Sequence, residues 1–112
     1  LRLVGSEMCI RDREHTMRES QFQAQLIKKL NKMLPGIIIL KNDPNYIQGI
    51  PDLILLYKNR WAALEVKRGA TASVRPNQAH YVRTMHAMSY AAFIYPENES
   101  EILSEVQQSL TA

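Results

Sequence analysis

The chain of 112 residues has room for one small domain, and its 46% hydrophobic and 22% charged residues are an ordinary globular balance. No apolar run approaches the roughly 18 residues that a membrane helix needs, and the single cysteine, Cys9, excludes a disulfide framework or a cysteine zinc site within one chain. The net charge of +3 conceals a division. Residues 17–95 carry 11 basic and 4 acidic side chains, net +7, whereas Glu97, Glu99, Glu101 and Glu105 follow without Lys or Arg among them. A basic body favours a polyanionic partner, chiefly nucleic acid, because neutralised phosphates release counterions. A plain solvated surface is the alternative. The composition predicts a soluble protein, and the lone thiol suits a reducing, cytoplasmic compartment.

Residues 1–16 keep no sustained period of 2 or 3.6 and lack the apolar core of a signal peptide. The run from Val4 to Arg13 resembles the translated end of a transposon-derived sequencing adapter. Residues 1–16 are therefore expected to be a non-native or disordered tail, with the domain spanning residues 17–112.

From Arg18 to Leu34, Phe22, Leu26, Ile27, Leu30, Met33 and Leu34 recur at helical spacing, with Lys28, Lys29 and Lys32 mostly on the opposite side. Pro35-Gly36 ends this helix, and Ile37 to Lys41 reads as a short β-branched strand. Asn42 to Asn45 is rich in turn formers, and Gln48 to Pro51 continues a loop. Two strands follow, Asp52 to Tyr57 and Arg60 to Lys67, separated by Lys58-Asn59. Pro76 suits the first turn of a second helix that runs to about Ser89. Tyr90 to Tyr95 reads as a buried strand. Asn98 is placed to cap a last helix, with Glu101 completing a capping box, and Ile102, Leu103, Val106 and Leu110 form its apolar face. The order is α-β-β-β-α-β-α.

If Lys58 and Asn59 form a two-residue turn, Tyr57 pairs with Arg60, and counting outward places Asp52 directly across from Glu65. Opposed residues on antiparallel strands hold their Cβ atoms about 4.5–5.5 Å apart. Lys67 points to the same face as Glu65, because strand side chains alternate. Apolar residues flank both faces, so the strands are expected to be central and covered on each side. Two carboxylates at the edge of a core repel one another unless a positive charge lies between them. A divalent cation satisfies that demand, and hard oxygen ligands select Mg²⁺, with Mn²⁺ as an alternative. Asp52, Glu65 and the carbonyl of Val66 would hold it, and Lys67 would orient or deprotonate a water, or offset phosphate charge.

The run Gly49-Ile-Pro-Asp52, twelve further residues and then Glu65-Val-Lys67 resembles the signature of the PD-(D/E)xK nucleases. The helix opening near Glu19, Gly49 before Pro-Asp, and Pro76-Asn-Gln78 opening the next helix resemble the VRR-NUC branch, whose small members are similar to Holliday-junction resolvases. The resemblance implies a restriction-endonuclease-like α/β core, a mixed four-stranded sheet flanked by helices. It implies a Mg²⁺-dependent endonuclease acting on DNA, with branched or four-way junction DNA as the leading substrate and a homodimer suited to a two-fold junction. It also implies that Glu19 is a further acidic ligand or water-positioning group and Gln78 an active-site side chain. Arg68 and Arg75 flank the site and would grip the phosphate backbone.

Each residue has a plainer reading. Asp52 suits a turn before a strand, and Glu65 with Lys67 could be a solvated pair. Thr16 and Glu19 could form a capping box, and a polar Gln78 is ordinary in a first helical turn. His80 and His86 read as surface or packing residues, and Trp61 and Tyr81 as core. Rival functions are a restriction-like or flap nuclease using the same site, a nucleic-acid-binding module without catalysis, and an interaction protein unconnected with nucleic acid.

Overall fold

A computed structural model describes residues 18–112. The expected tail over residues 1–16 and the Thr16 half of the capping box lie outside the described residues. Helix α1 (Glu19–Met33) exists because Phe22, Leu26 and Leu30, four apart, form one buried stripe. Its opening is held by Gln21, whose Oε1 accepts the Arg18 N–H at 3.2 Å. It ends where Gly36, at φ +92°, lets the chain reverse into the first strand.

Strands β1 (Ile38–Lys41), β2 (Leu53–Tyr57) and β3 (Arg60–Val66) form an antiparallel meander. Helix α2 (Pro76–Met88) then carries the chain back, so that β4 (Tyr90–Ile94) lies parallel to β3. Helix α3 (Glu99–Thr111) completes the chain. The sheet order β1-β2-β3-β4, with helices flanking it, is that of a restriction-endonuclease-like core.

The hairpin has the expected register. Tyr57 pairs with Arg60 and Leu53 with Leu64 around the two-residue loop. Lys58 takes φ 56°, the left-handed conformation that the primed hairpin turns require.

Leu53, Leu55, Leu64 and Val66 point from the sheet into the main core, against Phe22, Leu26 and Leu30 of α1 and Leu103 and Val106 of α3. Each of these side chains contributes about 1.5–3 kcal/mol by leaving water. Leu26→Ala would cost about 2–5 kcal/mol, because the cavity it leaves cannot fully collapse. The other face carries a smaller cluster of Ala63, Val82 and Ala91, with Trp61, Met85 and Phe93 packed around it.

That second face departs from the expectation of cover on both sides. Helix α2 packs on β3 and β4, and the β1–β2 end is left open: Ile38 is 56% exposed, and Ile54 and Leu56 are half-buried. The expected capping box at the last helix is also absent. Asn98 makes no side-chain cap. Its Oδ1 accepts the Tyr95 N–H at 2.8 Å and its Nδ2 donates to the Phe93 carbonyl at 3.1 Å. The side chain ties the end of β4 to the turn, because the β4–α3 connection leaves those two backbone groups without strand partners.

Candidate active site

The site lies where β2 begins, β3 ends and α2 begins. Continuing the hairpin one pair beyond Leu53 and Leu64 brings Asp52 opposite Glu65, at the point where the ladder gives way to side-chain contacts. Asp52 Oδ2 accepts the Val66 N–H at 2.8 Å, so its carboxylate reaches across to the neighbouring strand. Glu65, on a strand flanked on both sides, is only 3% exposed, and Lys67 is 8% exposed. Both are held inside the fold, which rules out a solvated surface pair.

A helix supplies the remaining link. Gln78, in the first turn of α2, donates from Nε2 to Glu65 Oε2 at 3.0 Å and accepts Lys67 Nζ at 2.9 Å through Oε1. The same Oε1 accepts the Arg75 N–H at 3.0 Å, closing the first turn of the helix. Gln78 thus serves both as the helix-opening polar residue and as the bridge between carboxylate and ammonium. The Lys67 ammonium itself stands 3.9 Å from Glu65 Oε2.

Burial disfavours the charged form of both carboxylates. Burial, with the adjacent Asp52 charge and a smaller contribution from Glu19, pushes the Glu65 carboxyl up to about 8, against the pull of Lys67 and the Asp52 amide. Burial likewise raises Asp52, with the Val66 N–H and Lys67 pulling the other way. Glu65 Oε1 is buried and has no hydrogen-bond partner among the described residues. A buried oxygen left in this way costs about 1–3 kcal/mol unless something outside the chain satisfies it.

A cleft of about 230 Å³ opens onto this pair, lined by Asp52, Glu65, Arg75, Asn77 and Gln78, with Pro44, Asn45 and Gln48 to Ile50 of the preceding loop. The loop comes close to the helix. A Cβ on Gly49 would stand 2.7 Å from Asn77 Cγ, and Gly49 has φ +90°, so only glycine fits there.

The expected site residues are therefore placed as follows. Asp52, Glu65 and Gln78 line one cleft, and Lys67 joins them behind it through Gln78 and Glu65. Arg75 lines it with an exposed side chain, and Arg68 is exposed just beyond Lys67. Val66 contributes its N–H to Asp52. Glu19 is exposed at the start of α1; its charge is felt at Glu65, but among the described residues no group of three or more His, Cys, Asp or Glu is gathered closely enough to hold a metal ion. Asn45, Gln48 and Asn77 also line the cleft, and sequence reasoning did not single them out. The signal available was Gly49, whose need for a close neighbour could have pointed to the start of the next helix.

Two carboxylates without a third acid still fit one kind of ion. Mg²⁺ is commonly held by one or two carboxylates and keeps several waters. The unpartnered Glu65 oxygen and the upward-shifted pair are what such an ion would relieve. Asp52 and Glu65 are the residues that would hold it.

No family model matches the sequence, and no curated relative matches it. Among solved structures the chain is similar to Hjc, a Holliday junction resolvase from the archaeal hyperthermophile Archaeoglobus fulgidus. The identity is 15% and the TM-score 0.48, over 68% of this chain and 67% of that chain. At that level the likeness has no bearing on chemistry, which rests on the residues of the cleft. Among the described residues no helix is long and apolar enough to cross a membrane.

Proposed function

We propose that the domain over residues 17–112 is a Mg²⁺-dependent DNA endonuclease that hydrolyses phosphodiester bonds, with branched or four-way junction DNA as its substrate. The observation that carries this reading is the Glu65 carboxylate: buried, opposed to Asp52, raised to about 8, and holding one oxygen without a partner beside Lys67. Mg²⁺ bound there would polarise a phosphate oxygen and lower the pKa of a water. The chain's own residues set the rest. Asp52 and Glu65 hold the ion, and Glu19 adds negative potential from the start of α1. Lys67, fixed by Gln78, places an ammonium where the scissile phosphate gains charge. Arg75 and Arg68 grip the backbone on either side, positioning it without reading sequence. A homodimer would present two such clefts to a two-fold junction.

Among the described residues no third acid is clustered with Asp52 and Glu65, which favours a second reading, a nucleic-acid-binding module whose site is idle. Cleavage of labelled four-way, flapped, linear and single-stranded DNA, in Mg²⁺ and in EDTA, separates the two. The nuclease reading expects Mg²⁺-dependent cutting that Glu65→Ala abolishes while binding persists. Binding without cutting in either condition supports the module, and equal cutting by the variant rejects the site. Preference for linear duplex or flaps would keep the chemistry and replace the junction.

A further inference from the structure

A second hollow adjoins the cleft. It measures about 460 Å³ and is lined by Asn42, Asp43, Tyr46, Ile47, Ile50 and Ile54. Ile50 also lines the cleft that holds Asp52 and Glu65, so the two spaces share a wall. Tyr46 stands at its rim with 84% of its surface exposed, an unusual position for an aromatic ring, and none of the described residues covers it.

The loop that carries the ring is built to hold it. Asn42 N–H donates to the Asp52 carbonyl at 2.9 Å, and Asn42 Nδ2 to the Pro51 carbonyl at 2.7 Å, pinning one end of the loop to the other. Asp43 Oδ1 accepts the Asn45 N–H at 2.9 Å, and the Asp43 carbonyl accepts the Tyr46 N–H at 3.1 Å, an Asx turn that fixes the backbone just before the ring. Gly49 then seats the loop on α2 at Asn77. The exposed ring is thus presented by an anchored turn.

The chemistry of the hollow is specific. Ile47, Ile50 and Ile54 offer an apolar lining, Tyr46 a π-face, and Asn42 and Asp43 acceptor oxygens. A nucleobase has the matching surface: two apolar faces and a polar rim. A paired base inside a duplex cannot present its face, whereas an unpaired base can turn out and stack.

We infer that Tyr46 and this hollow receive one base of the substrate strand next to the scissile phosphate, unpaired where a pair opens at a branch point, which favours cutting there over continuous duplex. The inference rests on the nuclease reading of the adjoining cleft and names what that cleft selects. Base–aromatic stacking would make it worth about 5- to 100-fold in affinity.

The test uses the full chain carrying Glu65→Gln, which binds without cutting, and a flapped duplex whose bases are replaced one at a time by abasic sites around the branch. The expected result is one position whose abasic form binds about 5- to 100-fold more weakly. Adding Tyr46→Ala should weaken binding of intact DNA by the same factor and remove the abasic effect, while Tyr46→Phe keeps both. A flat abasic scan, or unchanged affinity in Tyr46→Ala, overturns the inference and leaves the nuclease reading standing if the wild type cuts in Mg²⁺. No binding to any DNA together with no cutting by the wild type overturns that reading itself. Circular dichroism of each variant separates a lost ring from a lost fold.

Discussion

Gln78 Nε2 lies 3.0 Å from Glu65 Oε2, so a helix residue stabilises the charged form of a carboxylate on the central strand. Removing that donor makes ionisation of Glu65 harder still, because hydrogen bonds to the charged form are what favour it in a buried place. Gln78→Leu should therefore need more Mg²⁺ for half-maximal cleavage at pH 7 than the wild type, by about tenfold if the lost bond is worth the usual 1.5 kcal/mol or so. The gap should narrow at pH 9, where Glu65 is largely ionised in the wild type and much more so in the variant than at pH 7. Mg²⁺ titrations of cleavage at the two pH values check this.

The raised Glu65 carboxyl also sets a pH dependence of stability. Its folded value of about 8 lies above the ordinary glutamate value of 4.5, so between those limits the folded chain holds a proton that the unfolded chain releases. Stability then falls as pH rises through that window, and the penalty is complete above pH 8. At about 1.4 kcal/mol per pKa unit this comes to a few kcal/mol at most. Glu65→Gln should remove most of this slope. Urea unfolding of both chains at pH 5, 7 and 9, without divalent ions, measures it.

Lys67 can lose its charge without loss of the surrounding bonds. Gln78 Oε1 also accepts the Arg75 N–H, so it keeps a donor in Lys67→Met. The variant should fold, retain its divalent ion and lose about 10²–10⁴-fold in cleavage rate, the range for removing a positioned proton-transfer group. Single-turnover cleavage alongside Mn²⁺ titration separates the two effects.

Gly49→Ala should be costly although it adds one methyl. The new carbon would fall within 3 Å of Asn77 atoms, in a residue with φ +90°. Such backbone strain alone costs about 1–3 kcal/mol, and the clash adds to it. The midpoint of urea unfolding should drop with an unchanged slope, and cleavage should fall because the loop wall moves.

Much of this was legible in the sequence, and the reasons differ by element. The Lys58-Asn59 loop fixes the hairpin register through local chemistry alone, so Asp52 opposite Glu65 follows from counting residues. The helices follow from stripes such as Phe22, Leu26 and Leu30. Gln78 bridging Glu65 and Lys67 did not follow from spacing, since a contact across 13 residues depends on how the crossover seats α2 on the sheet. The exposure of Ile38 and Leu40 was hidden for the same reason: alternation shows which face a side chain takes and not how far a helix extends over it. Asn98 misled because it offers the same atoms to a cap and to a strand end, and the Phe93 carbonyl of β4 and the Tyr95 N–H just beyond it took them.

The central claim is that Asp52 and Glu65 together take up a divalent ion in place of the proton that Glu65 otherwise keeps. Calorimetric titration of the full chain with Mn²⁺ at pH 7, in two buffers of different ionisation heat, measures both. The account predicts one ion per chain with release of roughly one proton, since ligands must deprotonate to bind, and loss of both in Asp52→Asn and Glu65→Gln. Equal binding by the variants, or binding without proton release, would contradict it.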